Sequence, residues 1–242
     1  MAAQVTQTRP DPKIPDGNQI TDQRISGYKE QAVGITYTKL AAFCDEGDYF
    51  TFNNPTPGTG LTGHAAATTM DNTKATVLIK NQYPLGGRRI YFDYLKVVWT
   101  AAGTTGTLNY ATHLLDPGAG YTSGGTLITP TNTNIDVAGI GGALIYAGAV
   151  ICTAGAGGLQ RIISNIAVRP VISVINDTVT FTFGADVVSL SGAPVEGATI
   201  MERNVHVCPV IIGPQQWYKL ILWRASQTVA CAYEIEGAYW ER

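Results

Sequence analysis

His206 and Cys208 stand two residues apart in an apolar, β-branched run, so on a strand both would face one side. That pair offers two ligands where a zinc ion needs three or four. The remaining histidines, His64 and His113, are distant in sequence and nothing ties them to it. Core or interface residues are the simpler reading of all three. Gly58-Thr59-Gly60-Leu61-Thr62-Gly63 matches GxGxxG, but a dinucleotide site needs a helix opening at its end and an acidic residue about 20 positions on. Here two prolines precede the motif and His64–Thr69 is too short for a crossover helix, so a surface loop is expected. Nucleophilic catalysis needs a Ser or Cys beside a base and an orienting group. No GxSxG occurs, and three scattered histidines make no constellation. The densest acidic cluster, Asp45, Glu46 and Asp48, has the oxygen chemistry of a calcium loop, yet a solvated turn before a strand needs no ion. Trp99, Trp217, Trp223 and Trp240, with twelve tyrosines, could form a sugar platform; in strands they more often fill a core or a subunit interface. No catalytic, cofactor-binding or metal-binding residue emerges.

The elements that would position such residues follow from composition. The chain has 242 residues, 45% hydrophobic, which excludes general disorder. Charged residues are only 14%, against about 25% in an average soluble domain. Glycine (27) and threonine (29) take up the difference. Threonine suits strands and glycine suits turns, so a helical bundle is disfavoured. Net charge is −2 and Arg88-Arg89 is the single adjacent basic pair, which argues against a nucleic-acid groove. So weakly charged a surface implies contacts with other copies or a partner. Cys44, Cys152, Cys208 and Cys231 form no CxxC pair and read as reduced, mostly buried thiols. Met1–Gly17 contains no apolar run, so no secretory signal is expected there. Val137–Leu159 lacks charge over a membrane-spanning length. Glycines bound its ten-residue apolar centre, Ala143–Cys152, so a buried strand is expected and no membrane partner.

Residues 1–20, with Pro10, Pro12 and Pro15, read as an extended arm. Thr21–Val33 could hold one short helix, interrupted by Gly27. Strands are expected at Tyr49–Phe52, Thr76–Lys80, Ile90–Thr100, Leu108–Leu115, Ala143–Cys152, Arg161–Ile172, Thr178–Phe183, Val205–Ile212, Trp217–Arg224 and Ala230–Trp240. Val179, Phe181 and Phe183 alternate with Thr178, Thr180 and Thr182, and Tyr233 and Ile235 with Glu234 and Glu236, as half-buried strands require. Turns such as Leu85-Gly86-Gly87 and Asp116-Pro117-Gly118 separate them. About ten such strands mean a sandwich or barrel.

Two stretches carry a resemblance. Glu46-Gly47-Asp48-Tyr49-Phe50-Thr51-Phe52 runs into Asn53-Asn54-Pro55-Thr56-Pro57-Gly58-Thr59-Gly60. Later, Ile212-Gly213-Pro214-Gln215-Gln216-Trp217-Tyr218-Lys219-Leu220 leads through Trp223 to the closing Tyr239-Trp240-Glu241-Arg242. Together these resemble virion structural proteins of tailed bacteriophages, the jelly-roll proteins that decorate or cement heads. The resemblance implies an all-β, jelly-roll-like β-sandwich over 45–242, preceded by an arm over 1–44. It also implies a non-enzymatic, cofactor-free protein of the virion's capsid surface, made in the host cytoplasm. The implied partners are the major capsid protein and, as a homotrimer, itself. The arm's Val5, Pro10, Pro12, Ile14, Pro15 and Ile20 are the expected partner-binding residues, since extended segments suit groove docking or strand addition. A tail, fibre or host-glycan-binding sandwich module is the alternative.

Overall fold

The computed structural model describes residues 39–65, 68–101, 103, 109–137, 139–156, 159–169, 175–184, 202–224 and 228–242. Within them lie one helix, α1 (Lys39–Glu46), and the strands β1 (Tyr49–Asn53), β2 (Leu61–Thr62), β3 (Lys74–Asn81), β4 (Ile90–Ala101) and β5 (Asn109–Asp116). There follow β6 (Gly120–Ser123), β7 (Thr126–Ile128), β8 (Thr131–Asn132), β9 (Ala143–Thr153), β10 (Arg161–Arg169) and β11 (Thr178–Phe183). The last are β12 (Glu202–Val207), β13 (Ile211–Ile212), β14 (Trp217–Arg224) and β15 (Ala232–Glu241).

Two sheets face each other. One is ordered β12-β11-β4-β15-β1-β8, with β13 on β4 and β2 on β15; the other is ordered β10-β5-β14-β3-β9-β6, with β7 on β9. Eight strands form the frame: β1, β3, β4, β5, β10, β11, β14 and β15. Counted along the chain, they lie in the orders 1-8-3-6 and 2-7-4-5, with every neighbouring pair antiparallel. That interleaving is the double Greek key of a jelly roll. The connection from β5 to β10 carries an insertion, in which β9 widens one sheet along β3, β7 pairs on β9, and β8 crosses to the edge of β1.

Side-chain alternation places the core. Val179, Phe181 and Phe183 of β11 point inward, as do Tyr233, Ile235 and Tyr239 of β15, and they meet Val77, Ile79, Tyr218 and Leu220 of the facing sheet. Fully burying an aliphatic or aromatic side chain contributes about 1.5–3 kcal/mol. Gly237 is needed in β15 because a Cβ there would lie 2.3 Å from the Phe52 ring.

The helix α1 was not among the expected elements, and the expected boundary between residues 44 and 45 falls inside it. Phe43 buries its ring against Tyr49 and Ala238, and stacks on Trp240 at 5.5 Å. The helix stops in a Schellman motif: Gly47 at φ 73° donates to Cys44 O, and Asp48 N donates to Phe43 O. The arm, with Val5, Pro10, Pro12, Ile14, Pro15 and Ile20, and the possible helix at Thr21–Val33 lie outside the described residues. The expected strand Val205–Ile212 is two strands, β12 and β13, separated at Cys208-Pro209-Val210. Pro209 has no N–H to give a ladder. The charge-free stretch Val137–Leu159 contains the strand β9, and no described helix is long and apolar enough to cross a membrane.

Candidate functional site

Most residues with chemical potential are separated or internally satisfied. His206 on β12 and Cys208, one residue past the strand's end, are both exposed. Among the described residues no group of three His, Cys, Asp or Glu could hold a metal ion. The GxGxxG segment forms the β1–β2 loop and runs through β2, and no helix opens there. Asp48 pairs with Arg88 at 2.6 Å, and Glu46 with Arg242 at 3.0 Å, so two members of the acidic cluster are paired with arginines. All four cysteines are free thiols: Cys152 is buried, Cys44 and Cys231 are half-buried and Cys208 is exposed. Of the tryptophans, Trp99 and Trp217 are buried. Trp223 stacks on Tyr110 at 4.2 Å, and Trp240 stacks on both Phe43 and Tyr91.

Four buried polar groups were not legible in advance. Lys219 Nζ donates to Asp116 Oδ2 at 2.8 Å, to Asn72 O at 2.8 Å and to Thr153 O at 3.0 Å. Asp116 also accepts from the amides of Gly118 and Gly155. His113 sits between the sheets with Nδ1 2.6 Å from the Tyr218 hydroxyl, its ring edge-on to Phe181. Desolvation pushes its pKa down to about 3, so it is neutral at physiological pH. Arg224 donates through Nε to Asn109 Oδ1 in a small recess also lined by Trp99 and Cys231. Glu241 accepts from the Tyr83 hydroxyl at 2.5 Å and from Gly142 N at 2.5 Å. Burial raises its pKa, against the lowering effect of those two hydrogen bonds. Each of these groups is closed off from a substrate, and each ties strands or loops together. The sequence signal was a charge inside an apolar run, as Lys219 stands in Trp217-Tyr218-Lys219-Leu220-Ile221.

The outward-facing features are of two kinds. At the end where β1 begins and β15 finishes, side-chain amides fix two loops. Asn81 Nδ2 donates to Arg88 O and Ile212 O, and Gln215 Nε2 donates to Gln82 O and Tyr83 O. Gln215 holds that position at φ 62°, an uncommon conformation for a residue with a Cβ. Gln82 N donates to Gly142 O, joining the β3–β4 loop to the β8–β9 loop. Asn132 and Asn134 tie the latter to the α1 end through Gly47 O and Asp45 O. These anchored loops present Leu85, Ile135 and Ile140 at 84%, 97% and 85% exposure.

The second feature is an open groove of about 440 Å³ between the β1–β2 loop and the β7 and β9 edges. Its lining contains no charged residue. Asn54 shapes one wall by donating to Thr56 O and Thr59 O, while its Oδ1 is buried without a hydrogen-bond donor. An unsatisfied buried polar atom costs about 1–3 kcal/mol.

Comparison with protein-family models, with curated proteins and with solved structures found no match.

Proposed function

We propose that this protein is a non-enzymatic virion structural protein that binds and stabilises a bacteriophage capsid. The observation that carries the reading is the end surface, where hydrogen bonds from Asn81, Gln215, Asn132 and Asn134, with buried Glu241, fix the loops that hold Leu85, Ile135 and Ile140 in solvent. Exposed aliphatics are normal singly, but three on two mutually bonded loops at one end suit a docking surface. The jelly-roll order supports it as well, since that architecture recurs in capsid proteins, although lectins and cupins share it. The burial of Lys219, Asp116, His113, Arg224 and Glu241 fits a structural role, because each side chain spends its hydrogen bonds on neighbouring strands and loops.

The mechanism is binding. A rigid sandwich that contacts only the assembled shell stabilises it by mass action. Copies of the chain associate, as trimers, and the arm residues Val5, Pro10, Pro12, Ile14, Pro15 and Ile20 anchor each copy to a neighbouring chain. The partners are the major capsid protein and the protein itself, on the capsid surface.

Co-sedimentation of the purified protein with bare phage heads tests this. Wild type is expected to pellet with heads, and Leu85→Lys with Ile140→Lys to remain in the supernatant while melting normally. Deleting residues 1–20 is expected to weaken pelleting too. Failure of the wild type to pellet, or undiminished pelleting by both variants, would sink the proposal. Light scattering at tens of micromolar reads the trimer.

A further inference from the structure

We propose that the groove beside the β1–β2 loop is a saccharide site that takes a short neutral oligosaccharide. This goes beyond capsid binding and does not depend on it. The volume, about 440 Å³, falls in the range of small-ligand sites, roughly 300–1,000 Å³.

The lining selects the ligand class. With no Lys, Arg, Asp, Glu or His in the wall, an ionic ligand would lose hydration and gain no counter-charge. With no aromatic ring in it either, a flat apolar ligand finds no stacking partner. What the groove presents are the hydroxyls of Thr56, Thr59, Thr62 and Thr126, all on exposed residues, together with backbone groups. A hydroxyl both donates and accepts, and so does each hydroxyl of a sugar, which lets such groups pair in either sense.

The wall is also built in advance of any ligand. Asn54 is 8% exposed, and its amide holds Thr56 O at 3.2 Å and Thr59 O at 2.6 Å, fixing the curve of the loop. Its Oδ1 is shielded from solvent and has no donor among the described residues, so this wall is held by the two donated bonds alone. On the opposite wall β9 bulges, its register with β3 shifting between Ala75 and Val77. Gly148 takes φ 111° there, and a Cβ on it would stand 3.3 Å from Thr62 O. The two walls therefore approach closely at Gly148, where a side chain would narrow the groove.

The test uses the purified full chain and a panel of neutral tri- and tetrasaccharides of glucose, galactose, mannose and N-acetylglucosamine. Amide chemical shifts are followed in wild type, Thr126→Lys and Thr59→Lys, each variant first checked for an unchanged melting temperature. The expected result is saturable shifts at groove amides with at least one saccharide at millimolar affinity or better, weakened about tenfold or more by either lysine. Three results would overturn the proposal. They are no saturable binding across the panel, binding that both variants retain, or shifts at the same amides produced by extended peptides and not by saccharides.

Discussion

Lys219 Nζ lies 2.8 Å from Asp116 Oδ2, and both side chains are fully excluded from solvent. The pair joins neighbouring strands β14 and β5, and its remaining hydrogen-bonding capacity goes to Asn72, Thr153, Gly118 and Gly155. Removing one partner of such a pair strands a buried charge, at a cost of about 3–5 kcal/mol. Lys219→Met is therefore expected to lower unfolding free energy by about that amount in urea titrations. A loss under about 1 kcal/mol would mean that the pair is not closed to water.

His113 gives the fold an acid limit. Its pKa is lowered from the ordinary 6.5 to about 3, so protonation favours the unfolded chain. Its contribution is complete above about pH 6.5 and is lost as pH falls toward 3, on the order of 5 kcal/mol in total. Between pH 6.5 and 5, before most carboxylates titrate, the stability of wild type should fall while that of His113→Gln stays nearly level. Parallel curves for the two proteins would refute this.

Glu241 acts in the opposite sense. Its pKa is raised, so the stability it adds is fully present when it is protonated and is lost as pH rises through the folded-state pKa. Glu241→Gln should therefore compare best with wild type at neutral pH and less well near pH 4. Glu241→Ala leaves both Gly142 N and the Tyr83 hydroxyl without their acceptor, and should cost about 1–3 kcal/mol for each group. Chemical denaturation of the three proteins across pH measures both effects.

Much of the frame was legible because alternation reports burial directly. In β11 the three Thr positions are half-exposed and Val179, Phe181 and Phe183 are buried, as their spacing required. The strand Trp217–Arg224 has the expected bounds. The two-to-four-residue strands β2, β6, β7 and β8 were not legible because so few residues carry no periodicity. The helix α1 escaped because its one decisive residue, Phe43, is ordered by docking on Trp240 and Ala238, distant positions in the chain. The groove was illegible for the same reason: Asn54 and Gly148 meet across it only after folding.

Gly237 tests the tightness of the sandwich. A methyl group at this position would stand 2.3 Å from Phe52 Cζ and 2.7 Å from Cε1. The ring lies in the buried core and has little room to retreat. Gly237→Ala should cost about 1–3 kcal/mol through overpacking, read as a fall in melting temperature, and Gly237→Ala with Phe52→Leu should recover part of it. No fall in the single variant would show that Phe52 packs loosely.

The proposed role as a capsid-binding structural protein is tested most directly by counting copies per virion, by quantitative mass spectrometry of purified particles against the major capsid protein. A protein that binds across the shell should approach a fixed stoichiometry with the capsid protein, in hundreds of copies. Absence from purified particles, or a count of only tens, would contradict the account and point to a fibre, spike or non-virion protein.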